Sequence, residues 1–566
     1  MPGVSRAPEP LAPIPFSIPQ PFQKTLENGL RLVIFESDRL PLVSFRLAFL
    51  SGDAGDPEGL TGLTSAVASM LTEGTQNYSS RELAEKIERL GAHLSAHASD
   101  DFFIVSASAL SIYSDDILDL IGEIVFRPIF PENELDLYKR NTIENLKFQR
   151  SQPNFLAGEQ VARKLYGTHP YSIASPTAEN IEALSRDALA SHHAETLIPN
   201  NAVFVIVGDV DPAGVTKRIE DEFGGWQKGA VPMSAKVIPP QRDSIGLTIV
   251  DRPGSAQSNI VLANPAVERV NPDYFPLIVM NQLLGAGASS RVFMNLREEK
   301  GYTYGAYTRL DLKRSGGGFE ATAEVRTQVT GDSLKEFFYE LNRIREEKVS
   351  EQELDDAKNF LTGVFPIRAE TQEGLTNLIV NQQLYGLPED YLQSYRSNVE
   401  AISAEQVQEA ARRYIHPDSI AIVIVGDGEE VLAQAKDYAA NVEIFDTDGN
   451  PKDAAGFSQG AAEPPAAVNG KWDLTIDFQG QEIPASLSLE QSDGDLSGSI
   501  ETALGAGEIS SGRIRGKRVS ATAATEIQGQ EIELTISGEV NGDAMDGTIT
   551  GTMLPGPMTF SGKRGI

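Results

Sequence analysis

Ser289 to Tyr307 reads SSRVFMNLREEKGYTYGAY, and the rest of the chain can be read outward from it. Ser289 or Ser290 suits a helix N-cap, and Val292, Phe293 and Leu296 recur at helical spacing. Gly301 closes that helix, and Tyr302, Tyr304 and Ala306 alternate as in a strand. Arg297 then falls on the last helical turn and Tyr304 near the strand start, so a guanidinium and a phenol can converge. Both are hydrogen-bond donors of fixed geometry, suited to an oxygen that gains negative charge in acyl transfer. Spacing alone equally allows a solvated helix-end arginine beside a half-buried tyrosine.

Leu284-Gly285-Ala286-Gly287 precedes this stretch. Together they closely resemble the C-terminal half-motif of the pitrilysin/insulinase family, the inverted-zinc metallopeptidases. The resemblance covers roughly residues 22 to 447. It implies two homologous α/β-sandwich domains forming a half-bowl, an α+β fold. It also implies that Arg297 and Tyr304 bind substrate and stabilise the tetrahedral intermediate at a zinc held elsewhere.

The family's zinc helix has its counterpart in residues 51–75, SGDAGDPEGLTGLTSAVASMLTEGT. A helix from about Leu60 to Leu71 would bury Leu63, Val67, Met70 and Leu71, leaving Ser65, Ala68 and Ser69 on the opposite stripe. Active members read much like GLxHxxEHMxxxGT here. Ser65 replaces the first zinc-binding histidine, Ala68 the general-base glutamate and Ser69 the second histidine. The third ligand, a glutamate on a later helix, aligns with Asn145, with Glu144 beside it. Hydroxyls and an amide are poor zinc ligands, and alanine moves no proton. No zinc is expected in this chain.

His93 and His97 have ligand-like spacing, but Ala92, Leu94, Ala96 and Ala98 alternate between them as in a strand. In family members this strand is the open edge that receives extended substrate. His192 and His193 are expected on a solvent-facing helix surface after Ser185, and His169 in a loop.

Pro199-Asn-Asn followed by Ile206-Val-Gly-Asp209 recurs as Pro417-Asp-Ser followed by Ile424-Val-Gly-Asp427. This repeat predicts two homologous domains, 22–236 and 241–447. The helix Tyr274 to Leu284 would take the place of the first domain's zinc-type helix, again without His or Glu. Residues 1–21 form a proline-rich tail and 448–469 a Gly/Ala/Pro-rich linker. From 470 to 566, eight short alternating runs separated by Gly and Asp-Gly turns predict an antiparallel meander or small barrel. Gln479-Gly-Gln-Glu-Ile483 recurs as Gln528-Gly-Gln-Glu-Ile532, and Trp472 is expected to plug a barrel end.

A net charge of −32 argues against nucleic-acid partners, and the lack of cysteine removes disulfides and thiolate metal sites. No apolar run is long enough to span a bilayer. The tail resembles what a trimmed leader leaves behind, which points to a bacterial periplasm or cell envelope, and an intact cytoplasmic start is the alternative. A kept Arg/Tyr pair with a lost zinc set matches the family's non-catalytic subunits. The expected partner is a homologous zinc-bearing HxxEH chain, in a heterodimer or a dimer of heterodimers, with unstructured peptides as substrate. The alternatives are a peptide-binding or assembly scaffold, and a homodimeric peptidase with its metal elsewhere.

Overall fold

Residues 202–208, Ala-Val-Phe-Val-Ile-Val-Gly, form a strand buried along its whole length. Strands covered on both faces read as continuous apolar runs rather than alternating ones, and the computed structural model shows what covers this one. It describes residues 18, 20–232, 236–453, 457, 465–478, 481–492, 494–502, 505–527, 530–551 and 558–565. The proline-rich tail therefore lies outside the described residues except for Ile18, Gln20 and Pro21, as do Gln479, Gly480, Gln528 and Gly529 of the repeated pentapeptide.

The first sheet comprises β1 (Phe22–Thr25), β2 (Arg31–Glu36), β3 (Leu42–Phe49), β4 (His93–Ala98), β5 (Phe103–Leu110) and β6 (Ala202–Gly208). Its order is β1-β2-β6-β3-β5-β4. The second comprises β7 (Gly246–Asp251), β8 (Gln257–Ala266), β9 (Thr303–Leu312), β10 (Gly317–Arg326), β11 (Ala421–Gly426), β12 (Val442–Phe445) and β13 (Pro451–Lys452). Its order is β13-β12-β7-β11-β8-β10-β9. The pairs β2–β6, β7–β11 and β7–β12 are parallel, and every other pairing in the two sheets is antiparallel. The strands correspond one to one from β2 to the edge β4 and from β7 to the edge β9, as the internal repeat predicts. The Pro-Asn-Asn and Pro-Asp-Ser motifs both form short 3-10 turns leading into the central strands β6 and β11.

Each half covers the other's sheet. On β6, Phe204 and Ile206 face the first core, whereas Val203, Val205 and Val207 pack against Leu375, Ile379 and Val380 of the helix Gln372–Leu384, from the second half. On β11, Ile422 and Ile424 face the second core. Its Val423 and Val425 pack with Leu156, Val161 and Leu165 of the helix Pro153–Tyr166, from the first half. Burying a Val or Leu fully contributes roughly 1.5–3 kcal/mol, so neither half is complete without the exchanged helix.

The hairpin turns join the halves a second time. Arg314 N–H donates to Asp101 Oδ2 at 3.0 Å, Lys313 pairs with Asp100, and Tyr171 O–H donates to Asp101. Asp100, Asp101, Lys313 and Arg314 lie at the β4–β5 and β9–β10 turns, so the two edge strands are tied at one end, and Tyr171 braces Asp101 from the 3-10 turn Pro170–Ser172.

The ladder reaches beyond the expected linker start: Pro451–Lys452 pairs with β12 across a turn in which Asp446 accepts the N–H groups of Asp448 and Asn450. After it, eight antiparallel strands close into a barrel: β14 (Gly470–Phe478), β15 (Gln481–Ser492), β16 (Asp495–Thr502), β17 (Gly505–Arg515), β18 (Arg518–Ile527), β19 (Gln530–Asn541), β20 (Ala544–Gly551) and β21 (Met558–Arg564). Trp472 is fully buried at one end, its indole N–H donating to Val468 O at 2.9 Å beneath the Arg564 guanidinium. No helix among the described residues is long and apolar enough to cross a membrane.

Candidate functional site

The zinc-type helix spans Leu63–Met70 and begins at Gly62, a left-handed N-cap with no side chain to accept a bond. Two aspartates from the preceding loop take over that role. Asp56 accepts the Gly62 and Thr64 N–H groups at 2.7 and 3.0 Å, and Asp53 accepts the Ser65 N–H at 2.9 Å. Both carboxylates also sit at the positive end of the helix dipole. Asp53 further accepts the Ser65 hydroxyl at 2.7 Å, and Ser69 donates to the Ser65 carbonyl at 3.0 Å. Burial, reinforced by the Asp56 and Asp100 charges, pushes the Asp53 carboxyl up to about 6 against the bonds from Ser65.

Leu63, Val67, Met70 and Leu71 are buried as expected. Ala68 is not on an open stripe with Ser65 and Ser69; it is 2% exposed and belongs to the first core. The helix packs against strands β4 and β5 and the helices Glu132–Arg150 and Arg186–Thr196, which narrows its open face to the two serines. Asn145 and Glu144 lie exposed on the helix Glu132–Arg150, where Glu144 pairs with Lys147 at 2.7 Å. Ser65 and Asn145 line one cleft of about 320 Å³ with Asp53, Asp100, Tyr138, Thr142 and Gln149. The fold thus brings Ser65 and Asn145 to one cleft, but the residues at the zinc-type positions do not suit the metal. Two hydroxyls, an amide and a methyl offer neither imidazole nor a ligating carboxylate. No group of three or more His, Cys, Asp or Glu among the described residues could hold a metal ion.

The histidines resolve differently from expectation. His192 and His193 do not face solvent. His192 is 7% exposed, its Nε2 2.7 Å from Thr64 Oγ1, in the network that caps the zinc-type helix. His193 packs against Phe130 and bonds Val125 O at 3.0 Å, and burial pushes its imidazole down to about 4. A helix of weak amphipathicity concealed its inner face. His169 caps a short 3-10 turn by accepting the Tyr171 N–H. His93 and His97 lie on the edge strand β4.

At the second stretch, Ser290 holds the N-cap position but accepts no N–H, and its buried hydroxyl has no partner. One helical turn, Arg291–Phe293, passes into a wider π-helical segment, Met294–Glu299, with Lys300 N–H donating to Asn295 O at 3.0 Å. Anchors hold its inner side: Arg291 forks onto Glu353 at 2.9 and 3.2 Å, and Asn295 donates to Glu336 and Glu340. Gly301, at φ 63°, ends the segment as expected. Arg297 is left about half-exposed, its guanidinium 4.9 Å from the centre of the Phe293 ring and 3.2 Å from Glu298. Phe293 in turn meets the Tyr307 ring at 5.6 Å.

Tyr302 falls outside the strand, which starts at Thr303. Tyr304 is 93% exposed and Ala306 fully buried, so the expected alternation on one face fails. Its cause is a register shift between β9 and β10. The glycine within an otherwise strand-like run, Gly305, is the sequence signal that marks such a bulge.

A profile described as Insulinase (Peptidase family M16) matches residues 32–177, and one described as Peptidase M16 inactive domain matches residues 183–361. The chain belongs to this family. An "Uncharacterized zinc protease YmxG" of Bacillus subtilis is 24% identical over 412 residues, 71% of this chain and 98% of that protein. A "Non-peptidase homolog YmxG" of Helicobacter pylori is 24% identical over 405 residues, 70% of this chain and 91% of that protein. The crystal structure of a peptidase M16 inactive domain from Pseudomonas fluorescens superposes with a TM-score of 0.68 at 26% identity, covering 72% of this chain and 98% of that one. A protease from Helicobacter pylori shares the fold, with a TM-score of 0.67 at 18% identity, covering 72% of this chain and 100% of that one. The M16 proteins it is similar to include a non-peptidase homologue and an inactive domain, and this chain carries the β-barrel after the two M16-type domains.

Proposed function

We propose that this chain is the non-catalytic subunit of a two-chain M16 peptidase, supplying Arg297 and Tyr304 to a homologous partner that carries HxxEH and its zinc. The observation that carries the reading is Tyr304. It is 93% exposed, on a strand edge bent to present it. A bulge gives up regular ladder pairing, and a phenol standing in water adds nothing to this chain's own core. Such an arrangement has a purpose if the phenol meets a group from outside.

In that role the Tyr304 O–H and the Arg297 guanidinium donate to the carbonyl oxygen of a bound peptide as it gains negative charge. Arg297, carried over the Phe293 ring on an anchored segment, needs little reorganisation to do so. This chain's cleft at Ser65 and Asn145 contributes no proton transfer.

Tyr304→Phe removes only the hydroxyl. Mixed with the zinc-bearing partner, the variant should still form the complex by size-exclusion chromatography. It should cleave a quenched unstructured peptide at least about tenfold more slowly, one oxyanion donor being worth roughly 10²–10³ in turnover. Full activity in an intact variant complex would remove the pair from catalysis and leave a peptide-binding scaffold as the better reading.

A further inference from the structure

The strand that carries Tyr304 does not keep one register. From Leu312–Gly317 to Ala306–Ala323 the β9–β10 ladder pairs residue for residue, then resumes one residue out of step at Thr303–Val325. Tyr304 and Gly305 together stand opposite Glu324, which makes a β-bulge. In an unbroken strand, residues two apart share a face, and Tyr304 would follow Ala306 toward the core. The extra residue sends it outward instead.

One side chain fastens this bulge. Thr303 Oγ1 accepts the Gly305 N–H at 3.1 Å. Its single proton has two acceptors in reach, Glu324 O at 2.6 Å and Gly305 O at 2.9 Å. The hydroxyl thus bonds both strands across the point where their pairing breaks. Gly305 fits the same arrangement: a Cβ there would lie 2.6 Å from the Tyr307 ring. The matched edge of the other half, β4 on β5, has neither a shift nor such a clip.

We propose that Thr303 is the positioning residue for Tyr304, its hydroxyl holding the bulge that turns the phenol out of the core and toward a substrate. The proposal rests on the reading that Tyr304 acts on a peptide in a partner's site. Thr303 itself touches no substrate; it acts through the backbone on either side of Tyr304.

Thr303→Val keeps the branched shape and loses the hydroxyl, whereas Thr303→Ser keeps the hydroxyl. In the free chain, hydrogen exchange of the Gly305 amide should quicken at least about tenfold in Thr303→Val and little in Thr303→Ser, because the amide loses its acceptor. In the complex, Thr303→Val should lower kcat at least about tenfold with KM within about twofold, and Thr303→Ser should restore it. Combined with Tyr304→Phe, Thr303→Val should lower kcat by less than a further twofold or so, since both act through one hydroxyl. Unchanged Gly305 exchange in Thr303→Val, or an equal loss of kcat with and without the Tyr304 hydroxyl, overturns the proposal. So does a Thr303→Val complex of full activity when Tyr304→Phe is impaired. A neutral Tyr304→Phe, read with Thr303 intact, instead brings down the parent reading and the positioning role with it.

Discussion

The two halves of this molecule share a sheet topology and differ in what their edges offer. In the first half, β4 pairs in a single register with β5 and presents a regular edge, and a separate cleft is lined by Ser65 and Asn145. In the second half, β9 is bulged, and it presents a phenol while a half-exposed guanidinium stands on the segment before it. A regular edge offers backbone groups to an added strand, whereas a bulged edge offers a side chain. One fold, used twice, can therefore keep a surface for binding in one copy and a donor set in the other. The two sites use different residues, so a change at one leaves the side chains of the other in place.

The comparison breaks most completely on metal content. Purified chain should hold far less than one zinc per molecule after dialysis, measured by elemental analysis. Stoichiometric zinc lost on changing Ser65, Ser69 or Asn145 would return the first half to the zinc-binding class. Next in size is the loss of turnover in Tyr304→Phe described above. Arg297→Ala should act in the same direction in the same assay, with added loss of packing on Phe293.

The joint between the edges gives a smaller effect. Lys313 is 18% exposed, pairs with Asp100 and lies over the Tyr171 ring at 4.8 Å. Lys313→Ala leaves Asp100 without its cation and should cost about 2 kcal/mol by denaturant unfolding. A loss below about 0.5 kcal/mol would mean that the Lys313–Asp100 pair contributes little to the joint between the halves.

The smallest effect belongs to the barrel. It meets the second domain through Arg518–Glu429 at 2.9 Å and Arg513–Glu430, around a hollow of about 700 Å³. Ion pairs with a solvent-reaching partner, such as Arg513 and Arg518 here, contribute about 0–1 kcal/mol each. A chain ending at 464 should therefore melt within a few degrees of the full protein by calorimetry. Aggregation of that truncated chain would show that the barrel completes the second core.

Much of this architecture was legible because it is locally encoded. The eight alternating runs could close only as an antiparallel sheet, and the repeated Pro-x-x motifs marked the same turn before the same central strand. The residue types at the zinc-type positions are also local information: Ser65, Ser69 and Asn145 carry hydroxyls and an amide, poor zinc ligands whatever the fold does. Other features depended on partners distant in sequence. Val203 and Val423 sit in similar apolar runs, but only the assembled chain shows that each is covered by a helix from the opposite half. His192 and His193 looked solvent-facing until Thr64, Val125 and Phe130 closed over them. The periodicity that placed Arg297 and Tyr304 could not register a π-turn or a bulge. Each adds one residue to the backbone count and is stabilised by bonds to other elements. The sequence by itself determined which functional groups stand at positions 65, 145, 297 and 304. Tertiary structure decided where Tyr304 points, because that direction depends on the pairing of β9 with β10 and not on β9 alone.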